Sequence, residues 1–107
     1  MNDLRSTHDT ALSRAGRREL MRRAHDLEPV VMVGKHGITD ELIGACNEAL
    51  ENHELVKVRF QNFKDQCSEF AAMIAERTGG QLIRTIGHVA ILYRENVDPD
   101  KRRYNVR

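Results

Sequence analysis

Two short apolar runs alternate with stretches of helical spacing, and that alternation restricts this 107-residue chain to an α/β arrangement. Val30-Val31-Met32-Val33 reads as a buried strand behind Pro29. In Leu55 to Phe60, Val56, Val58 and Phe60 alternate with Lys57 and Arg59, which predicts a strand with one buried and one basic face. Between them, Leu42, Ile43, Cys46, Ala49 and Leu50 recur at helical spacing. Thr39 is suited to cap that helix, with Asp40 and Glu41 in its first turn and Ile38 as a staple.

A preceding helix is predicted from Ser13, as N-cap, to about Leu27. Its apolar stripe is Leu20, Met21, Ala24 and Leu27, and Gly16 should fray its first turn. A third helix is predicted over Phe63 to Thr78, capped by Asn62 and stopped by Gly79-Gly80, with Phe63, Cys67, Phe70, Ala71 and Ile74 facing inward. Gln81 to Ile86 and Val89 to Tyr93 then form two strands around a Gly87-His88 turn. The expected fold is α/β (α+β-like), a single compact domain of order α-β-α-β-α-β-β. Helices two and three cover one face of a four-stranded mixed sheet. Residues 1–11 are polar and expected to be flexible, 12–94 form the domain, and 95–107 are expected to be a loosely ordered basic tail.

Charge is distributed unevenly behind a formal net charge of +1. From Leu12 to Gly37 the bases Arg14, Arg17, Arg18, Arg22, Arg23 and Lys35 face three acids, Glu19, Asp26 and Glu28. From Ile38 to Leu55 there are five acids and no Lys or Arg. Arg14, Arg18 and Arg22 recur every four residues as a basic helix stripe, which suits a polyanion and equally a solvated face. No apolar run approaches the roughly 18 residues of a membrane span, and no signal-peptide core opens the chain, so a cytoplasmic location is expected. Cys46 and Cys67 are far apart and read as small apolar helix residues.

The strongest local feature is strand, Gly34-Lys35-His36-Gly37, helix. Glycines at both ends would let another backbone approach closely, Lys35 supplies a point charge, and His36 can stack or donate a hydrogen bond. The helix start adds open N–H groups, so the whole can take a phosphate. An ordinary connection with turn glycines has the same composition. Two nucleotide motifs are excluded: a P-loop needs Gly at position 29, where Pro stands, and no G-x-G-x-x-G is present. The histidines make no i, i+4 pair beside a Glu, no Cys/His cluster has zinc spacing, and no Ser or Cys sits with an oriented base. No enzyme activity, cofactor, metal or small-molecule substrate is expected.

Three strings carry a family resemblance. Pro29-Val30-Val31-Met32-Val33-Gly34-Lys35-His36-Gly37-Ile38-Thr39 resembles the P-V-V-x-[IV]-G-x-x-G-[LI]-T segment of the CRM domain. His53-Glu54-Leu55-Val56-Lys57-Val58 resembles its H-E-L-[IV]-K-V, and Ile86-Gly87-His88-Val89-Ala90-Ile91-Leu92-Tyr93-Arg94 its I-G-x-x-x-[VIL]-x-Y-R. The resemblance implies a stand-alone CRM domain of the bacterial YhbY-like type, with a fold like the C-terminal domain of translation initiation factor three. It also implies a loop comparable to the GxxG loop of KH domains, which clamps nucleic-acid backbone. The implied partner is ribosomal RNA in precursors of the large subunit, during ribosome assembly. RNA contacts are expected from Gly34, Lys35, His36 and Gly37, from Arg14, Arg18 and Arg22, and from Lys57 and Arg59. A protein-docking role for the acidic second helix (Asp40, Glu41, Glu48, Glu51) is the alternative.

Overall fold

A computed structural model describes residues 12–106. The expected order is found: α1 (Arg14–Ala24), β1 (Val31–Val33), α2 (Asp40–His53), β2 (Leu55–Phe60), α3 (Cys67–Thr78), β3 (Gln81–Ile86) and β4 (Val89–Tyr93). The strands form one mixed sheet in the order β1-β2-β4-β3. β1 runs parallel to β2, and β4 runs antiparallel to both of its neighbours. The segment 1–11, expected to be flexible, lies outside the described residues.

α2 and α3 cover one sheet face, as the apolar spacing requires. Leu42, Cys46 and Leu50 from α2 and Cys67, Ala71 and Ile74 from α3 bury Val31, Val33, Val56, Val58, Phe60, Ala90 and Leu92. Thr39 caps α2, its hydroxyl accepting from Leu42 N at 3.0 Å. Arg94 ties the far ends of these helices together. Its guanidinium donates to the Asn47 side chain and carbonyl, the Thr78 carbonyl and Glu51.

α1 lies on the opposite sheet face, where Leu20 and Ala24 pack on Leu55, Ile83, Ile91 and Tyr93. The segment after Arg94 joins it there, which corrects the expectation of a loose tail. Val106 and Asn96 are buried, Tyr104 packs edge-on against Tyr93, and Arg23 sits 4.7 Å over the Tyr104 ring. Glu54 is the anchor. This buried carboxylate, at a positive φ of 65° between α2 and β2, accepts from the backbone N–H of Asn96 at 2.6 Å and of Arg103 at 2.5 Å. Gly16 is corrected too. It is buried against the Val106 carbonyl, where a Cβ would overlap, so glycine admits the tail instead of merely weakening α1.

The third helix starts later than expected. Asn62 caps nothing. Phe63 takes a left-handed conformation (φ 58°, ψ 40°), a single 3-10 turn spans Lys64–Gln66, and α3 begins at Cys67 without a side-chain cap.

Candidate nucleic-acid interface

Three connections meet at one end of the sheet because β1 and β2 are parallel and β4 is antiparallel to β2. The Gly34–Gly37 loop leaves β1. The chain leaving β2 returns to it, with Gln61 N and Asn62 N both donating to the Val33 carbonyl at 3.0 and 3.3 Å. The β3–β4 turn closes on them, Phe60 N donating to the His88 carbonyl at 2.8 Å. The loop therefore sits on a hydrogen-bonded frame, which favours a preformed binding element.

Within the loop the two glycines differ. Gly37 N donates to the Gly34 carbonyl at 3.1 Å, closing a turn. Gly37 is buried at φ +69°, and a Cβ there would lie 3.3 Å from Cε2 of Phe63. Its open side is thus filled by an aromatic ring, which itself packs on Phe70 with centroids 5.4 Å apart. A Cβ at Gly34 would meet open space. Of the two glycines expected to let another backbone approach, Gly34 alone has open space where its side chain would be. Lys35 and His36 between them are exposed.

The start of α2 carries less of the anion-binding role than its position suggests. Thr39 already satisfies Leu42 N, and Asp40 and Glu41 place carboxylates where the helix dipole would otherwise meet a phosphate. Asp40 is held by Arg77 at 3.0 Å. The positive charge at this end of the sheet is carried by side chains: Lys35 in the loop and exposed Lys64 in the turn beyond β2, with exposed His36 and His88 as further donors.

The remaining expected contacts are spread over the other sheet face. Lys57 donates to the carbonyls of Leu27 at 3.0 Å and His25 at 3.5 Å, so its ammonium also closes the C-terminal end of α1. Arg59 is exposed, and its side chain has no hydrogen bond or ion pair among the described residues. Arg22 is bound to Glu19 at 2.6 Å, and Arg23 approaches the same carboxylate at 3.8 Å. The hydrogen bond from Arg22 holds the Glu19 carboxyl below its ordinary pKa, and Glu19 in turn raises that of Arg22. Arg17 reaches the β3 carbonyls of Leu82 and Ile83 at 3.2 and 3.1 Å. That contact pins the first turns of α1, with exposed Arg14 and Arg18, toward the edge strand on the far side of the sheet from β1. The loop and the arginine stripe are not one continuous patch.

Sequence reasoning missed Phe63, Lys64 and His88 at the loop end. Phe63 has ordinary helical spacing, so nothing local marked its positive φ. The cysteines are buried and unpaired, and burial raises both thiols, Cys46 to about 11. Among the described residues no cluster of His, Cys, Asp and Glu could hold a metal, and no helix is long and apolar enough to cross a membrane.

Known proteins resemble this chain along most of its length. A Bacillus subtilis protein named "Probable RNA-binding protein YqeI" is 38% identical over 81 residues, covering 75% of this chain and 84% of the relative. A Haemophilus influenzae protein named "RNA-binding protein" is 36% identical over 87 residues, covering 79% and 87%. The solution structure of SAV1595 from Staphylococcus aureus superposes with a TM-score of 0.73 at 33% identity, covering 88% of this chain and 99% of that one. The CRS1 / YhbY (CRM) domain pattern matches residues 12–94, which contain the β1–loop–α2 unit and all four strands. With that match and these relatives, the chain belongs to the CRM domain family.

Proposed function

We propose that the chain binds RNA, contacting the backbone through the Gly34–Gly37 loop and nearby basic side chains, and performs no covalent chemistry. The observation that carries this is the loop: a bare backbone at Gly34 beside exposed Lys35 and His36, on a frame bonded to two neighbouring connections. The names of the Bacillus and Haemophilus relatives agree with it. The finer reading is a cytoplasmic ribosome-assembly factor whose target is ribosomal RNA in large-subunit precursors. It rests on the family, and it requires the protein to sediment with those precursors rather than with free protein at low salt. Docking of a protein on acidic α2 is less favoured, because Asp40 and Glu51 are already engaged by Arg77 and Arg94.

The test replaces Lys35 and His36 together by Ala. Both are exposed, so stability should move by less than about 0.5 kcal/mol. RNA affinity should fall by about 1–3 kcal/mol through lost charge-assisted contacts. An unchanged affinity in a folded variant would remove the loop from the interface.

A further inference from the structure

We infer that the half of the α1-side sheet face left uncovered by α1 is a platform for the unstacked bases of single-stranded RNA; this rests on the RNA-binding reading above. The register places Met32 opposite Arg59, Arg59 opposite Val89, and Val89 opposite Ile86. These four residues form one row across all four strands, about 14 Å long at the usual strand spacing. α1 and the tail bury the other end of this face over Leu55, Ile83 and Tyr93, but Met32 is 48% and Ile86 54% exposed. A shallow groove continues the row beneath the C-terminal half of α1, past Met21, His25 and Lys57.

The chemistry of the row selects among ligands. Arg59 in the row, and Arg84 beside it opposite Ile91, put guanidinium groups among apolar side chains. Arg84 meets Met21 Sδ at 3.9 Å, and Glu28 is the one carboxylate lining the groove. The net positive charge complements a polyanion. A duplex offers phosphates and 2′-hydroxyls, which leave methionine and isoleucine bare. An unstacked base has a flat face that covers an aliphatic side chain and stacks on a guanidinium plane. The row also continues into the loop end: Met32 is two residues before Gly34, and Ile86 immediately precedes Gly87-His88. A strand whose backbone is held at Lys35 can lay the following bases across Met32, Arg59 and Ile86.

The experiment titrates the protein with a single-stranded RNA oligonucleotide carrying 2-aminopurine, and with the same oligonucleotide annealed to its complement. Three proteins are compared: the wild type, Met32→Ser with Ile86→Ser, and the Lys35/His36 double Ala variant, with thermal melting as the check on fold. The platform predicts a 2-aminopurine fluorescence change on binding to the wild type. It also predicts that the Met32/Ile86 variant loses up to about tenfold in affinity for the single strand, the lower end of the range for a base on an aromatic ring, because aliphatic side chains cover a base without a π-face. Its duplex affinity and salt dependence should stay as in the wild type, because no phosphate contact is removed. A folded Met32/Ile86 variant that binds the single strand as the wild type does overturns the platform while leaving RNA binding intact. Equal losses on single strand and duplex overturn it as well. A wild type that binds neither RNA overturns the RNA reading and the platform together, and would leave the face to a protein. A loss confined to the Met32/Ile86 variant, with the Lys35/His36 variant unaffected, supports the platform and removes the loop.

Discussion

Gly37 and Gly34 are three residues apart and face opposite demands. At φ +69° an L-residue pays about 1–2 kcal/mol for the left-handed conformation, and at Gly37 a Cβ would also crowd the Phe63 ring at 3.3 Å. Gly37→Ala is therefore expected to lower the melting temperature by roughly 4–15 °C, at about 4–8 °C per kcal/mol for a domain near this size. Gly34→Ala should melt within about 0.5 kcal/mol of the wild type, since its Cβ meets open space. If the open Gly34 backbone is where RNA approaches, the same substitution should weaken RNA binding. Thermal melts and RNA titrations of the two variants side by side check this. Equal melting would show that Phe63 does not constrain the loop.

Among the elements, those whose signal is local were legible in the sequence. Helix faces and strand alternation put Leu20, Cys46, Ile74 and Val58 inside because periods of 3.6 and 2 need no knowledge of the partner. The start of α3 was not legible. Asn62 before a helically spaced run has the composition of an N-cap, yet the return of the β2 exit to the Val33 carbonyl takes that segment out of the helix. The tail was hidden for another reason. Two of its backbone N–H groups are bound by Glu54, and its side-chain anchors, Asn96, Tyr104 and Val106, are too widely spaced to show a helical or strand period. In the candidate site the loop could be read from its glycines. The row from Met32 to Ile86 depends on register between strands far apart in sequence and could not be. Gly16 tests the docked tail directly. In an exposed helix, Gly→Ala stabilises by about 1 kcal/mol. Here the Val106 carbonyl occupies the site, so Gly16→Ala should destabilise the full chain. In a chain ending at Arg103 the sign should reverse toward the ordinary helix value. Denaturant unfolding of the four proteins checks it; a stabilising Gly16→Ala in the full chain would mean that the tail does not press on α1.

For the molecule as a whole, the placement of charge sets how binding responds to salt. Lys35 and Lys64 lie at the loop end, and Arg59 and Arg84 on the open sheet face. Arg22 is neutralised by Glu19, and Arg14 and Arg18 stand toward the far edge. With three to four phosphates neutralised at about 0.7 each for a single strand, the slope of log K against log salt should be about −2 to −3. A titration series in potassium chloride measures it, and a flat response would assign the binding to uncharged contacts. Strand β2 has a consequence of a different kind. It begins beside Glu54, which fastens the tail, and ends at Phe60, beside the connections that frame the loop, a span of roughly 17–20 Å at the usual rise per residue. Perturbations that far apart, with no shared partners, combine additively. Changes at Glu54 and at Lys35 should therefore show no coupling in a double-mutant cycle, and the chain can vary at one end of β2 without the other registering it.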